Sequence, residues 1–115
     1  AGGAHVLLRL RVLHPLLAVA VGTLLLGTAA VSSLLRPGPR VRRSAIALAS
    51  LVLLQLTAGM VNLALLAPIW MQLVHLVLAD AVWLAAVLLA AAALAADAPR
   101  LAVPGLAEPR SASAR

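Results

Sequence analysis

Three long apolar runs separated by short polar links dominate the pattern of this chain. Residues 12–35 and 44–66 contain no charged residue, and residues 69–96 contain only one, Asp80. A bilayer core of about 30 Å is crossed by about 20 helical residues, so each run is long enough to span it. The pattern therefore predicts an all-α membrane protein with three transmembrane helices.

The segments between and beside the runs are short and polar. Residues 36–43 contain a Pro-Gly-Pro sequence and four arginines, which predicts a loop, and the Ala-Pro pair at residues 67–68 predicts a tight turn. Such short connections make sequential helices antiparallel neighbours. Residues 1–11 form an N-terminal segment before the first span. Residues 97–115, rich in Pro, Ala, Ser and Arg, are predicted to be a disordered tail.

Composition agrees with a membrane protein and excludes several kinds of chemistry. Hydrophobic residues make up 64% of the chain and charged residues 10%, against about 25% charged residues in soluble domains. The absence of Cys excludes disulfides, thiolate metal sites and cysteine catalysis. The net charge of +6 comes from arginines that flank the apolar runs. They form no basic stripe with interleaved aromatics, so we predict no nucleic-acid partner.

The arginines also predict how the chain is oriented in the membrane. Four lie in residues 36–43 and three in residues 97–115, which three spans place on the same side of the membrane, whereas Arg9 and Arg11 lie on the other. Positive residues are enriched on the cytoplasmic side. We therefore expect a multi-pass protein of the inner (plasma) membrane, with the N-terminus outside and the loop and tail in the cytoplasm.

Two histidines within the spans are predicted to share one depth. His14 precedes Arg36, at the inner end of the first span, by the same number of positions as His75 precedes Asp97, at the inner end of the third. Spans one and three run in the same direction, and a helix rises by about 1.5 Å per residue. Both imidazoles therefore lie about 33 Å from the inner boundary, near the outer surface.

Such a pair suits ligation of a haem iron by one imidazole from each side. Arg9 and Arg11, just outside His14, are placed to pair with haem propionates. The pair alone leaves a second interpretation open, because histidines in membrane helices also hydrogen-bond across helices. A zinc site would need further ligands.

Small residues near the histidines would leave room for a flat macrocycle. Ala18 and Ala79 each follow a histidine by four residues, and Gly22 and Ala86 extend the two small-residue strips.

The second span carries a polar face made of Gln55, Gly59 and Asn62, at positions i, i+4 and i+7. This face favours close helix–helix adhesion, or a hydrogen bond to a cofactor edge or a ligand imidazole. Asn62 is nearer the outer end than Gln55, so we expect Asn62 to be the cofactor-binding member. Gln72, three residues before His75, would contact the site or the membrane interface.

Three further residues in the third span carry less specific expectations. Trp70 is predicted to mark the outer membrane interface, and Trp83 to take part in packing. Asp80 is expected to face the helix bundle or a neighbouring subunit, because a charge in a span needs a partner. A proton relay between Asp80 and His75 is disfavoured, since five residues separate them by about 140° around the helix.

Several short motifs together resemble the C-terminal half of haem A synthases. They are the run from Gln55 to Asn62 (Gln-Leu-Thr-Ala-Gly-Met-Val-Asn), Pro68-Ile69-Trp70, His75-Leu76, Ala79-Asp80 and the run from Arg11 to Pro15 (Arg-Val-Leu-His-Pro). In that family a Gln-x-x-Leu-Gly-x-x-Asn pattern lies on the seventh helix, from which Ala58 departs. The similarity covers about residues 9–90.

The resemblance implies a fold, a cofactor and an enzyme. The family folds as eight helices in two four-helix halves and oxidises a methyl group of haem O to the formyl group of haem A, for terminal oxidase assembly. His14 and His75 would be the axial ligands of haem b, and this chain would hold most of the cofactor-haem bundle. The catalytic residues would lie in the N-terminal half, so none is assigned to this chain.

The resemblance also implies partners for this chain, and two other functions stay open. Expected partners are haem, the lipid bilayer, and the missing N-terminal helices or a partner subunit, since the chain would be a fragment or one part of a split protein. A b-type cytochrome subunit for electron transfer, or a structural membrane subunit without haem, remain as alternatives.

Overall fold

The computed structural model describes residues 2–101, without the side chains of residues 2, 4–8, 10, 11 and 99–101. It consists of three helices, α1 (Gly2–Leu35), α2 (Pro39–Ala64) and α3 (Ile69–Leu101), and no strand occurs within residues 2–101. Each helix contains a stretch long and apolar enough to cross a membrane. The all-α prediction with three potential spans is thus confirmed.

The helices extend beyond the apolar runs that predict the three spans. α1 begins within the predicted N-terminal segment. α2 begins at Pro39, which leaves residues 36–38 as the whole loop and puts three of the predicted loop arginines in helix. Proline favours the first helical position because it has no N–H to satisfy there and its φ angle already suits the helix. The Arg42 amide then donates to the Gly38 carbonyl over 3.0 Å.

The C-terminal ends of α2 and α3 also differ from the ends of the predicted apolar runs. α2 ends at Ala64, so the connection to α3 covers residues 65–68. α3 continues to Leu101, past the predicted start of the disordered tail at residue 97, because Ala and Leu in this stretch favour helix. The rest of the predicted tail, residues 102–115, lies outside the described residues.

The turn between α2 and α3 is tight. Leu66 and Ala67 have φ angles of 59° and 57°, in the left-handed region that is unfavourable for residues with a Cβ atom. Hydrogen bonds hold this conformation: the Ala67 amide donates to the Asn62 carbonyl over 2.7 Å, and the Gln72 side chain donates to the Ala67 carbonyl over 2.6 Å. Gln72 is thus the side chain that closes the turn.

α2 is the central helix and packs against both of its neighbours, whereas α1 and α3 make little contact with each other. The core joins all three helices near the α1–α2 loop, an end of the molecule that we call the loop end. It comprises Ala29, Val41, Ala45, Leu48, Val52, Ala85 and Leu89.

The opposite end, near residues 65–68, is called the turn end and is packed less fully. In α1 no residue of 12–21 is buried, and in α3 none of 72–84 is buried. His14 and His75 both lie in these stretches. The three helices therefore converge at the loop end and leave the flanks of α1 and α3 open at the turn end.

Candidate functional site

His75 lies at the interface of α3 with α2, where its ring is half-buried. Its Nε2 atom is 3.4 Å from the Gln55 amide nitrogen. Its Cε1 atom lies so close to Gly59 that a Cβ atom added to the glycine would be 3.2 Å away. Gln55 and Gly59, two members of the polar face of α2, therefore contact this imidazole.

The register of this contact follows from the short turn. Gly59 lies six residues before the turn that starts at residue 65, and His75 lies seven residues after its end at residue 68. At about 1.5 Å per residue both are about 10 Å from the turn, so the antiparallel helices bring them to one level. Gln55 is one helical turn farther and shares the face of Gly59, and its long side chain reaches back to the ring.

Three buried polar atoms at the turn end have no hydrogen-bond partner within the described residues. They are Gln55 Oε1, Asn62 Oδ1 and His75 Nδ1. An unpaired buried polar group costs about 1–3 kcal/mol, and native structures rarely leave such groups unpaired. Two of these atoms lie on α2 and one on α3.

The Gln55 side chain makes the polar contact with His75. The prediction that Asn62 binds the cofactor stays a prediction. Asn62 is half-buried, and its backbone carbonyl accepts the turn bond from Ala67. One feature of the sequence could have identified this contact. Gln55, which has a long side chain, comes four residues before Gly59, so the two lie on one face of the helix.

The other predicted site residues lie on α1. His14 is exposed on the turn-end half of that helix, and Arg9 is exposed near its start. Arg11 lies in α1, but its side chain is outside the described ones. Joint ligation by His14 and His75, and propionate binding by the arginines, remain predictions. The described residues bring together no group of three or more His, Asp or Glu side chains.

The small residues near the histidines divide between two roles. A Cβ atom added to Gly22 would lie 3.2 Å from Leu56 Cδ1, so this glycine serves the packing of α1 on α2. Ala86 packs against the core at the loop end. The interpretation of these two as room for a macrocycle is therefore wrong, whereas Ala18 and Ala79 are half-buried beside the histidines.

Three further residues of α3, Trp70, Asp80 and Trp83, are exposed. Trp83 is 69% exposed, so its predicted packing role does not hold within this three-helix unit. Asp80 is exposed and does not face the bundle. Trp70 is 60% exposed at the start of α3, near the turn.

Residues 1–87 match the family COX15-CtaA, described as cytochrome oxidase assembly protein. The chain belongs to this family. The resemblance to haem A synthases found in the sequence motifs is thereby confirmed.

Two curated relatives are similar over 82 residues, which is 71% of this chain. Both are called protoheme IX farnesyltransferase, from two strains of Thermus thermophilus, and they are 55% and 54% identical. The chain spans 14% of the length of each. No solved structure matches the chain significantly.

Proposed function

We propose that this chain is the haem b-binding C-terminal part of a haem A synthase, which oxidises haem O to haem A for terminal oxidase biogenesis. The observation that carries the proposal is the half-buried His75, whose Nδ1 atom is buried without a partner in a cytochrome oxidase assembly protein. A histidine side chain is a common protein ligand of haem iron.

The proposed haem site combines residues of α1 and α3. His75 of α3 and His14 of α1 would hold its iron. The small side chains of Ala18 and Ala79 would flank the ring, and Arg9 and Arg11 would bind its propionates through their planar guanidinium groups. The sparse packing at the turn end supports this placement, because a flat macrocycle needs separated helices.

The bound haem would supply one-electron transfer. The chain's own residues would bind and orient it: the histidines would hold the iron, and the apolar flanks of α1 and α3 would keep water away from the ring. No catalytic residue is proposed in this chain, because the resemblance to haem A synthases implies that the catalytic residues lie in the N-terminal half of that family.

The names of the relatives support haem as the class of ligand. Protoheme IX farnesyltransferase is named for a haem, and the shared segment includes most of this chain. The farnesyl transfer itself is not assigned to this chain, because the matched segment covers only 14% of each of those proteins.

The proposal includes an orientation of the chain in the membrane and a location in the cell. The N-terminus would be outside and the loop of residues 36–38 in the cytoplasm, in the inner (plasma) membrane. The arginines that α2 contains immediately after this loop, Arg40, Arg42 and Arg43, support this orientation.

One observation favours a second candidate, a structural membrane subunit in which the histidine only joins helices. His75 already contacts Gln55 across the α2–α3 interface, and hydrogen bonds of this kind hold membrane helices together.

A haem titration separates these candidates. The chain purified in detergent and supplied with haem b should give the spectrum of a six-coordinate, low-spin haem. His14→Ala and His75→Ala should each lose it, whereas His5→Ala, before the first apolar run, should retain it. An unchanged spectrum in either span variant would defeat the ligand assignment, and no haem binding by the parent chain would favour the structural subunit.

A further inference from the structure

We propose that the side of α3 around Asp80 binds a further membrane helix that carries an arginine, whose guanidinium group pairs with the Asp80 carboxylate. Four apolar residues, each more than half exposed, surround the exposed aspartate on this side of the helix: Leu76, Val77, Trp83 and Leu84. These five residues are called the Asp80 face. The inference is independent of haem.

The Asp80 side chain lies on the side of α3 that is turned away from the other two helices. Met71 and Leu89 are nine residues before and nine residues after it, and both are buried. Nine residues make about two and a half turns of helix, so both lie on the side opposite Asp80. Leu89 belongs to the core that joins the three helices. Within the described residues Asp80 makes no ion pair or hydrogen bond.

The depth of Asp80 makes contact with lipid unfavourable. It lies in the apolar stretch Ile69–Ala98, about 16 Å along the helix from Ile69. Its side chain has one methylene group, so the carboxylate cannot reach the headgroup region as a long lysine or arginine near a helix end does. Charged side chains within spans almost always face protein or a water-filled cavity. The Asp80 face is therefore a surface that protein covers.

A second copy of the chain in the same orientation offers no arginine at this level of the membrane. The Arg36–Asp97 pair sets α1 and α3 in register with an offset of 61 positions. Val19 of α1 therefore lies level with Asp80. Arg11 is the nearest arginine along the described helices, and it is about 12 Å from that level. The arginine that pairs with Asp80 therefore belongs to a different helix.

The curated relatives support another stretch of protein as the occupant. In each of them the segment similar to this chain covers 14% of a longer polypeptide. In those proteins further polypeptide therefore accompanies the segment that corresponds to these helices.

The Asp80 face favours arginine over lysine as the partner. A guanidinium group stays protonated in proteins and matches a carboxylate with two parallel N–H donors, whereas an ammonium group is a point charge. Trp83 follows Asp80 by three residues, and side chains at this spacing are neighbours on a helix surface. The same guanidinium group can therefore stack on the indole ring while it pairs with the carboxylate.

Cysteine cross-linking in phosphatidylcholine nanodiscs tests the proposal with the full, haem-free chain. The chain has no cysteine, so each reporter is introduced singly. Leu84→Cys reports on the Asp80 face. Leu24→Cys is its matched control, because it is exposed on α1 and the 61-position offset puts it level with residue 85. The probe is a synthetic helix of Leu and Ala with a central arginine and a cysteine four residues from it. A matched probe has leucine in place of the arginine.

The arginine probe should cross-link to Leu84→Cys about tenfold more than the leucine probe, an effect typical of a strong polar contact between model membrane helices. The two probes should cross-link equally to Leu24→Cys. Equal cross-linking of both probes to Leu84→Cys would overturn the inference. So would the same preference for arginine at Leu24→Cys.

Substitutions of Asp80 in the Leu84→Cys chain identify the group that the arginine recognises. Asp80→Leu should abolish the preference for the arginine probe, and it leaves the core intact because residue 80 points away from it. Asp80→Asn keeps the size and an acceptor oxygen but lacks the charge, so it should lose most of the preference. Full preference in either variant would contradict the ion pair. Trp83→Leu should lower the preference by a smaller factor, and an unchanged preference would rule out stacking on the indole.

The same reporters test whether a second copy occupies the face. Without a probe, Leu84→Cys should form no more disulfide-linked dimer than Leu24→Cys. Excess dimer that Asp80→Leu suppresses would show that the occupant is another copy of this chain, and the inference would be wrong. None of these measurements involves haem, so their outcome and that of the haem titration are distinguishable.

Discussion

Arg36 and Asp97 join the end of α1 to the end of α3 across 61 positions of sequence. Nη2 of the arginine lies 2.7 Å and Nε 2.8 Å from Oδ2 of the aspartate, and both side chains are about two-thirds covered. α1 and α3 otherwise make little contact, so this pair is a direct link between them. It closes the loop end of the bundle, while the turn end stays open.

We expect Arg36→Gln and Asp97→Asn each to lower the thermal midpoint of the chain in detergent. The double variant should cost little more than either single one, because both remove the same interaction. Arg42→Gln, at an exposed residue of α2, is a matched control for the lost charge. Additive losses in the double variant would show that the two residues act independently.

The pKa of Arg36 determines how the contribution of the Arg36–Asp97 pair to stability depends on pH. The hydrogen bond to Asp97, and then the charge of Asp97, raise the pKa of Arg36 above its ordinary value. A raised pKa on a cation means that its stabilising contribution is complete below the ordinary arginine pKa and is lost only above the raised one. Stability should therefore not fall through this pair in mildly alkaline buffer. A loss there that Arg36→Gln abolishes would contradict this.

Gly59→Ala and Gly27→Ala should have opposite effects on the free energy of unfolding. Alanine is favoured over glycine in a helix by about 1 kcal/mol, and Gly27 has open space around it, so Gly27→Ala should stabilise the chain. At Gly59 the added methyl group meets the His75 ring, and overpacking costs about 1–3 kcal/mol. Denaturation of both variants in the same detergent measures the difference, and equal stabilisation would show that the ring yields freely.

Ala67→Gly should stabilise the turn end. Ala67 has a φ angle of 57°, a conformation that costs about 1–2 kcal/mol in residues with a Cβ atom and that glycine adopts freely. Part of this gain is offset by the greater entropy of glycine in the unfolded chain. Ala64→Gly, at the last helical residue of α2, is the control and should not stabilise. Amide hydrogen exchange near residues 62–72 reports the effect, and faster exchange in Ala67→Gly would refute it.

Asp80 should oppose the insertion of α3 as a single span. It is exposed near the middle of the apolar stretch Ile69–Ala98. On insertion scales an aspartate at a span centre costs about 2.5–3.5 kcal/mol. Asp80→Leu should therefore increase insertion of an isolated α3 in a glycosylation-mapping assay, with Gln72→Leu near the end of the span giving a smaller gain. Equal gains would place Asp80 outside the apolar core.

Haem retention by this chain alone should be weak. Its three helices leave the turn end open, with none of residues 12–21 buried. We expect haem added to the chain to transfer to apomyoglobin within the time of a mixing experiment. Retention comparable to that of myoglobin itself would show that the three helices enclose the ring.

Some features of the protein depend only on local sequence. The three spans are set by the length and hydropathy of their apolar runs, and these do not depend on what each helix contacts. The same holds for the motifs from Gln55 to Asn62, which point to the family. The apolar runs do not locate helix ends such as Leu101, because residues that favour helix continue past the last apolar run.

The contacts of the polar residues were decided by tertiary structure. Sequence places Gln55, Gly59 and Asn62 on one face, yet the rotation of α2 against α3 and the reach of each side chain determine that Gln55 meets His75 and that Trp83 points outward. Depth along a helix follows from counting residues, because each adds a constant rise along the axis. Rotation follows from how small and large side chains interlock between helices, and that packing exists only once the helices have come together.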